Sequence, residues 1–496
     1  MKKIFTFLLS ILPLIMMGQE RIMVIADPHV TPQSLIDATP DFDENMQHQR
    51  KMLDISEPIW HALMDTALQH HPDLLLIPGD LTKDGEQEGH ELVAASLHQL
   101  NEAGIRTLVI PGNHDLPDNT RWDSLYMKTV TTKDPNSYSY AVEPLDGVTV
   151  IGIDGSHGAA SIGSLSSQTL AWILAQADSA VAKGNMIIAM CHWQLLEHID
   201  QQGSLESSCR LKEADAIRDS LMHHGVHLVL TGHFHVNGIT TYHGVQQADS
   251  LVEITTGSPI TFPCPYRWLT VSPDRHAISV QTDYISTLDT IDNMYSYSRE
   301  WMREHATNMI PQMTIRAWNK VENHLDMLDY LLDEDTKAEL LACVPESDSA
   351  KIDLVQRYMG STIVDLYLLH SEANEPEHPE ADSLAQALYD GMEGLLEEMT
   401  ANTSRYFRFF AVPILKNFGL AMAEDPVQSL VEDVTQRSTY ADHTDDLNGV
   451  FFINNGYQVI ETVLTESAPH KFMQNGQLII QRGKAKYNAL GQQFNK

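Results

Sequence analysis

An α/β fold built on parallel strands is what this sequence predicts, and three observations predict it. Apolar runs of strand length alternate with stretches of helical periodicity. Several runs, Thr107–Ile110 among them, continue into apolar or β-branched neighbours without a polar alternate, as in a strand covered on both faces. Five runs also end in ligand-type residues. Asp27 and His29 follow Arg21–Ala26, and Gly79-Asp80 follows Leu74–Pro78. Gly112-Asn113-His114-Asp115 follows Thr107–Pro111, His192 follows Met186–Cys191, and His233 and His235 follow His227–Thr231. In an open α/β sheet, ligands bind in the crevice outside the carboxyl ends of the strands. Oxygen and nitrogen donors from five such ends would stand at one rim, a set that suits a hard-to-borderline divalent metal.

Taken in order, Arg21–Ala26 reads as a buried strand, and Asp27-Pro28-His29 puts two donors on one side of an extended chain. Val30–Asn45 reads as a surface loop, and Gln47–His70 as a helix, from the spacing of Met52, Ile55, Ile59, Leu63 and Ala67. Asp73–Asp80 is the second strand. After the loop Leu81–Gly85, Glu86–Ala103 is a helix ended by Gly104, and Thr107–Ile110 is the third strand. Right-handed crossovers make these three strands parallel neighbours. Asp115–Pro144 reads as irregular. Val148–Ile153 is a strand ending at Asp154, with His157 close behind, and Ser167–Ala182 is an amphipathic helix. A helix at Glu213–His223 separates the last two site strands. Thr240–Tyr284 reads as short strands completing a second sheet, with Arg267 as a solvated strand residue or, in the alternative, a contact for a phosphate oxygen. Beyond Thr287, Ser298–Arg357 and Leu384–Thr400 are helical, joined by an acidic linker, Ser371–Asp382, that carries Pro376 and Pro379. From Gly449 onward, Asn455-Gly456 and Asn475-Gly476 mark hairpins.

A chain of 496 residues is long for one core and predicts two or three domains. The boundaries expected are 1–18, 19–286, 287–446 and a short carboxyl-terminal segment, 447–496. The formal net charge of -35, from 32 Lys and Arg against 67 Asp and Glu, argues against nucleic acid as a partner. A small phosphorylated substrate stays compatible, because bound metals supply local positive charge. Cys191, Cys209, Cys264 and Cys343 are scattered and show no CxxC spacing; one or two bridges stay open, and Cys191 reads as an inert core thiol. Lys2 and Lys3 precede an apolar run, Ile4–Met17, and Gly18. That is the pattern of a secretory signal peptide, short for a membrane span. Export to the periplasm or the medium, with cleavage and no lasting membrane anchor, is the expectation.

At its ligand-type residues the chain resembles the calcineurin-like metallophosphoesterases, in particular their class III cyclic-nucleotide and glycerophosphodiesterase branch. The family pattern is DxH, GD, GNH[D/E], a lone His and GHxH, in that order. Here it is Asp27-Pro28-His29, Gly79-Asp80, Gly112-Asn113-His114-Asp115, His192 and Gly232-His233-Phe234-His235. The resemblance covers about Arg21–Tyr284. Leu81-Thr82-Lys83 carries no Tyr where the purple acid phosphatases place one, and Lys83 and Leu116 depart from the Arg-rich blocks of protein phosphatases.

The resemblance implies a four-layer α/β/β/α sandwich, here with a mainly helical carboxyl-terminal region, and two divalent or trivalent metal ions. Asp27, His29, Asp80 and His235 would hold one ion; Asp80, Asn113, His192 and His233 would hold the other, with Asp80 bridging. Mn, Fe, Zn, Co and Ni all suit such ligands. It also implies hydrolysis of a small phosphodiester by a metal-bound hydroxide, with His114 stabilising or protonating the leaving-group oxygen. A phosphomonoesterase of acid or alkaline type, and a binding protein that keeps the fold without catalysis, are the alternatives. Asp115 either orients His114 or caps a following turn, and Asp84 offers the same orienting role. Asp154 and His157 are candidates to line the substrate pocket, with a plain turn residue the alternative for Asp154.

Overall fold

A computed structural model describes residues 20–39, 42, 50–115, 119–156, 162–198, 207–244, 250–322, 334–373, 380–403, 440–442, 448–452, 470–474, 477–482 and 485–488. The signal segment, His157 and the Asn455-Gly456 pair lie outside them. The first sheet is seeded by β1 (Glu20–Val24), β2 (Leu74–Pro78) and β3 (Arg106–Ile110), parallel neighbours as the crossovers require. Between them run α1 (Gln33–Ala38), α2 (Ser56–His70) and α3 (Gln87–Glu102). The second sheet is centred on β5 (Val148–Ile153), β6 (Met186–Cys191), β7 (Leu228–Thr231) and β9 (Ser250–Thr255), all parallel. Antiparallel β4 (Tyr140–Leu145) and β8 (Gly238–His243) flank this core.

Side-chain alternation fixes the layers. On β6, Met186, Ile188 and Met190 enter the large core shared by both sheets. The residues between them, Ile187, Ala189 and Cys191, pack outward with Ile173 and Ala177 of α5 (Ser167–Lys183) and Ile217 and Leu221 of α6 (Ala214–His223). Ile59, Trp60 and Leu63 of α2 and Val93 and Leu97 of α3 cover the other face of the first sheet. The result is the expected helix–sheet–sheet–helix order, and every strand that feeds the site is buried on both faces.

Several elements differ from the sequence expectation. Residues 240–284 do not complete one sheet. β8 and β9 join the second, while β10 (Pro265–Val271) and β11 (Ala277–Tyr284) cross to the first, where β10 pairs antiparallel with β1. Arg267 is thereby carried into the interior, fully buried, with Nη2 donating to the Thr255 carbonyl at 3.0 Å. The helix expected from Gln47 starts at Ser56, because the Met52 N–H donates to the Ile260 carbonyl at 2.8 Å and a 3-10 turn, Leu53–Ile55, intervenes. The expected loop after His29 is not all surface: Val30 is buried and bridges to Thr82, and α1 follows. The irregular stretch contains α4 (Asn119–Tyr126).

Carboxyl-terminal to these sheets, α7 (Met294–Glu322), α8 (Glu334–Leu341), α9 (Asp348–Glu372) and α10 (Ala381–Thr400) form the helical region. α9 runs past Arg357 into the expected linker, and packing explains why. Val364 and Leu368 join Met302, Ile310 and Leu354 in one cluster, so its last turns are held by burial. β12 (Tyr440–Asp442) pairs with β8, and β13 (Gly449–Phe452) extends the first sheet beside β11 instead of forming a hairpin of its own. β14 (His470–Gln474), β15 (Gln477–Arg482) and β16 (Ala485–Asn488) form a separate antiparallel sheet. There Gln474 pairs with Gln477 on either side of Asn475-Gly476. None of the four cysteines is in a disulfide. No helix among the described residues is long and apolar enough to cross a membrane.

Candidate metal centre

The strand ends do not simply continue extended. Asp27 (φ 51°), His29 (39°), Asp80 (51°), His233 (66°) and His235 (62°) all have left-handed backbones, half of the ten such non-glycine residues among those described. A residue with a Cβ gives up about 1 kcal/mol or more to sit there. Tertiary hydrogen bonds hold the elbows in place: Asp27 N–H to the Gly79 carbonyl (3.3 Å), His29 N–H to that of Asp80 (3.0 Å), and Gly232 N–H to that of His192 (3.1 Å). Asp27 and His29 thus reach one side through two sharp bends and not through an extended dipeptide. Glycine is needed at two of the elbows for space. A Cβ on Gly112 would collide with the Asp80 carboxylate, and one on Gly232 with that of Asp27.

These bends bring two donor sets together. In the first, His29 Nε2 lies 3.1 Å from His235 Nε2 and 3.5 Å from Asp80 Oδ2, while His235 Nε2 lies 3.3 Å from Asp27 Oδ1. In the second, His192 Nε2 lies 3.1 Å from His233 Nδ1, 3.0 Å from Asn113 Oδ1 and 3.4 Å from Asp80 Oδ2. The same Asp80 oxygen therefore faces both sets. The Asp80 Oδ1 atom accepts the His114 N–H at 2.8 Å, and the Asp27 carboxylate accepts the His233 N–H at 2.9 Å. Backbone donors thus fix both carboxylates before any ion arrives.

The tautomers point the same way. His192 Nδ1–H donates to the Pro78 carbonyl at 2.9 Å, and His233 Nε2–H donates to the Ser208 carbonyl at 3.2 Å. In the neutral rings the facing nitrogens are then both lone pairs. Lone pairs 3.1 Å apart repel unless a cation lies between them, and a carbonyl on the far nitrogen is the usual way a metal-binding imidazole is oriented. The donor set fits a dinuclear metal centre.

Electrostatics without metal show the strain that a cation would relieve. Burial pushes Asp27 up to about 8, against the pull of His192. Burial opposes ionisation of Asp80 too, but His192 and His29 outweigh it and hold that carboxyl well below its usual range. Burial would lower His192, yet Asp80 and Asp27 raise it to about 9. His233 falls to about 3 through burial and the His192 charge. Burial holds His29 and His235 far below the ordinary imidazole value. One proton on His192 stands in for the positive charge that metals would bring.

The model of the calcineurin-like phosphoesterase family matches residues 20–237. Over that stretch the chain is similar to the calcineurin-like phosphoesterases. The chain is 27% identical over 154 residues to a protein of Arcobacter nitrofigilis named "probable glycerophosphodiester phosphodiesterase", covering 30% of this chain and 54% of that one. It is 25% identical over 198 residues to a Synechococcus sp. protein named "probable cyclic nucleotide phosphodiesterase", covering 38% of this chain and 70% of that one. The chain thus spans about half the length of the first relative. Among solved structures, a dimetal phosphatase from Danio rerio is similar at a TM-score of 0.41 and 14% identity, over 53% of this chain and 95% of that one. That likeness is too shallow to carry an argument.

Around these donor sets, the remaining candidates take different places. His114 stands at the rim, its ring 4.8 Å from that of His29. Its Nδ1 is engaged by the Lys83 carbonyl at 2.6 Å and by Asp84 Oδ1 at 3.0 Å, which leaves Nε2 toward the site. The hydrogen bond from His114 holds the Asp84 carboxyl down at about 2, so Asp84 is the group that orients the ring. Among the described residues Asp115 makes no contact with the His114 ring, which is held by Lys83 and Asp84 instead, and the turn it was expected to cap, residues 116–118, lies outside them. Its fully buried carboxylate accepts from Gly112 N–H (2.9 Å) and Thr82 N–H (3.0 Å), tying the second block to the third. Asp154 is a turn residue: it accepts from Tyr138 N–H at 2.9 Å and from Ser156 Oγ at 2.6 Å. Its carboxylate is engaged in that turn.

Sequence reasoning missed Lys51, whose Nζ lies 3.4 Å from His114 Nε2. It sat within a run read as one helix, where a lysine between apolar positions reads as solvent-facing. The one signal available was its place four residues ahead of Ile55, inside the stretch leading to that helix and not on its exposed face.

Proposed function

We propose that this chain is a metal-dependent phosphoesterase that hydrolyses a P–O bond of a small to medium phosphodiester. One observation carries the reading: two buried donor sets share a single Asp80 oxygen, with a rim histidine beside them. Asp27, His29, Asp80 and His235 would hold one ion, and Asp80, Asn113, His192 and His233 the other. When bound, the ions supply Lewis-acid charge for the phosphoryl oxygens and make water acidic enough to serve as nucleophile near neutral pH.

The protein's own contribution is placement. The carbonyls of Pro78 and Ser208 keep the donor nitrogens of His192 and His233 turned inward. Burial of Asp27, His29 and Asp80 excludes bulk water, which strengthens every charge interaction at the centre. Asp84 and the Lys83 carbonyl hold His114 so that a proton on Nε2 is offered to the departing oxygen. Preference for a diester draws support from the names of the two relatives, and export from the Lys2-Lys3 and Ile4–Met17 pattern.

Mn-loaded protein assayed on bis(p-nitrophenyl) phosphate and on p-nitrophenyl phosphate tests this reading. The expected result is a higher kcat/KM for the diester. Faster turnover of the monoester would replace the reading with a phosphomonoesterase, and metal binding without turnover of either ester would replace it with a binding protein.

A further inference from the structure

The lysine at the rim is placed by its neighbours and not by chance of rotamer. Met52 and Leu53 are fully buried, and the Met52 N–H is fixed on the Ile260 carbonyl at 2.8 Å. The chain next to Lys51 is thereby anchored. Lysine on a free surface keeps its ammonium in water. Here Lys51 is half-buried with its Nζ 3.4 Å from His114 Nε2, the nitrogen left over once Nδ1 is engaged. Among the described residues no carboxylate stands at ion-pair distance from it, while its charge acts on Asp27 and Asp80 across the centre. Burial pulls the ammonium down to about 8, against those two carboxylates. A cation so held is short of an anionic partner at the point where a phosphoester enters.

We propose that Lys51 is a substrate-anchoring residue whose ammonium group meets a non-bridging phosphoryl oxygen of the ester beside His114. This rests on the phosphoesterase reading and deepens it: His114 serves the departing oxygen, and Lys51 holds its charged neighbour. Ammonium-to-phosphate hydrogen bonds are charge-assisted, and Lys acts on phosphate as a point charge.

The probe is inorganic phosphate, titrated calorimetrically into metal-loaded wild type, Lys51→Met, Lys51→Gln and Lys51→Arg, with metal content measured on the same samples. Losing a charge-assisted contact should weaken phosphate binding in K51M and K51Q by roughly ten- to a hundredfold. Bound metal should be unchanged, and K51R should recover much of the affinity. In turnover the loss should appear mainly in KM for the diester. The proposal is overturned if K51M and K51Q bind phosphate as tightly as wild type, if their weaker binding follows metal loss, or if wild type binds no phosphate. Wild type that binds phosphate but hydrolyses neither ester would sink the catalytic reading while the calorimetry still decides on Lys51.

Discussion

Asp80 does three things at once. Its Oδ2 atom faces His29 and His192, one from each donor set, and its Oδ1 atom takes the His114 N–H. Asp80→Asn keeps the shape but removes the charge that both ions share, so metal analysis should find at least one equivalent lost, with activity down at least a hundredfold or so. Gly112→Ala should act on the same carboxylate through space alone, lowering metal content and destabilising the fold by about 1–3 kcal/mol in chemical denaturation. His114→Ala differs in kind: metal stays, and kcat falls by roughly a hundred- to ten-thousandfold. At this scale the sequence was most legible where side chain and chain position coincide. Asp27, His29, Asp80, Asn113, His192, His233 and His235 each follow a strand, and the structure gathers all seven. The tie from Asp115 to Thr82 and the place of Lys51 beside His114 were not legible, because those partners lie on other loops and no local pattern announces them.

Between the elements, one loop does the joining. In residues 257–264, Ser258 Oγ donates to the Asp27 carbonyl at 2.6 Å and Ile260 receives the Met52 N–H. Phe262 of the same loop is buried among Met302, Leu354 and Leu368 of the helical region. On α9, His370 also meets Phe234, the residue between the two histidines of the last block, at a ring distance of 5.4 Å. The helices are therefore anchored on this loop and, through Phe234, on the block that carries His233 and His235. Phe262→Ala should cost about 3–5 kcal/mol in chemical denaturation and make α7 and α9 more open to limited proteolysis. Periodicity made α3 and α5 readable nearly to the residue, since local caps end them at Gly104 and Gly184. It could not assign β10 and β11 to a sheet, because strand order is set by distant packing and not by local pattern.

Across the described residues, two sheets set five strand ends side by side; three of those ends have strained backbone, and all crowd around buried charge. Metal ions that bind only the folded state should stabilise it by mass action, by about 4 kcal/mol for a ligand a thousandfold above its Kd. Chelation should accordingly lower the melting temperature by about 5–15 °C, reversibly on adding Mn back. The parallel strands were readable from the sequence because they are continuous apolar runs, whereas the layer order followed only from the family resemblance. The extent of α9 and the place of β13 were not, because both depend on surfaces supplied by other parts of the chain.

Anomalous diffraction from Mn-soaked crystals tests the shared-carboxylate centre most directly. The expected map has two peaks, one within ligand distance of Asp27, His29 and His235, the other of Asn113, His192 and His233, with Asp80 touching both. A single peak, or two peaks without Asp80 between them, would contradict it.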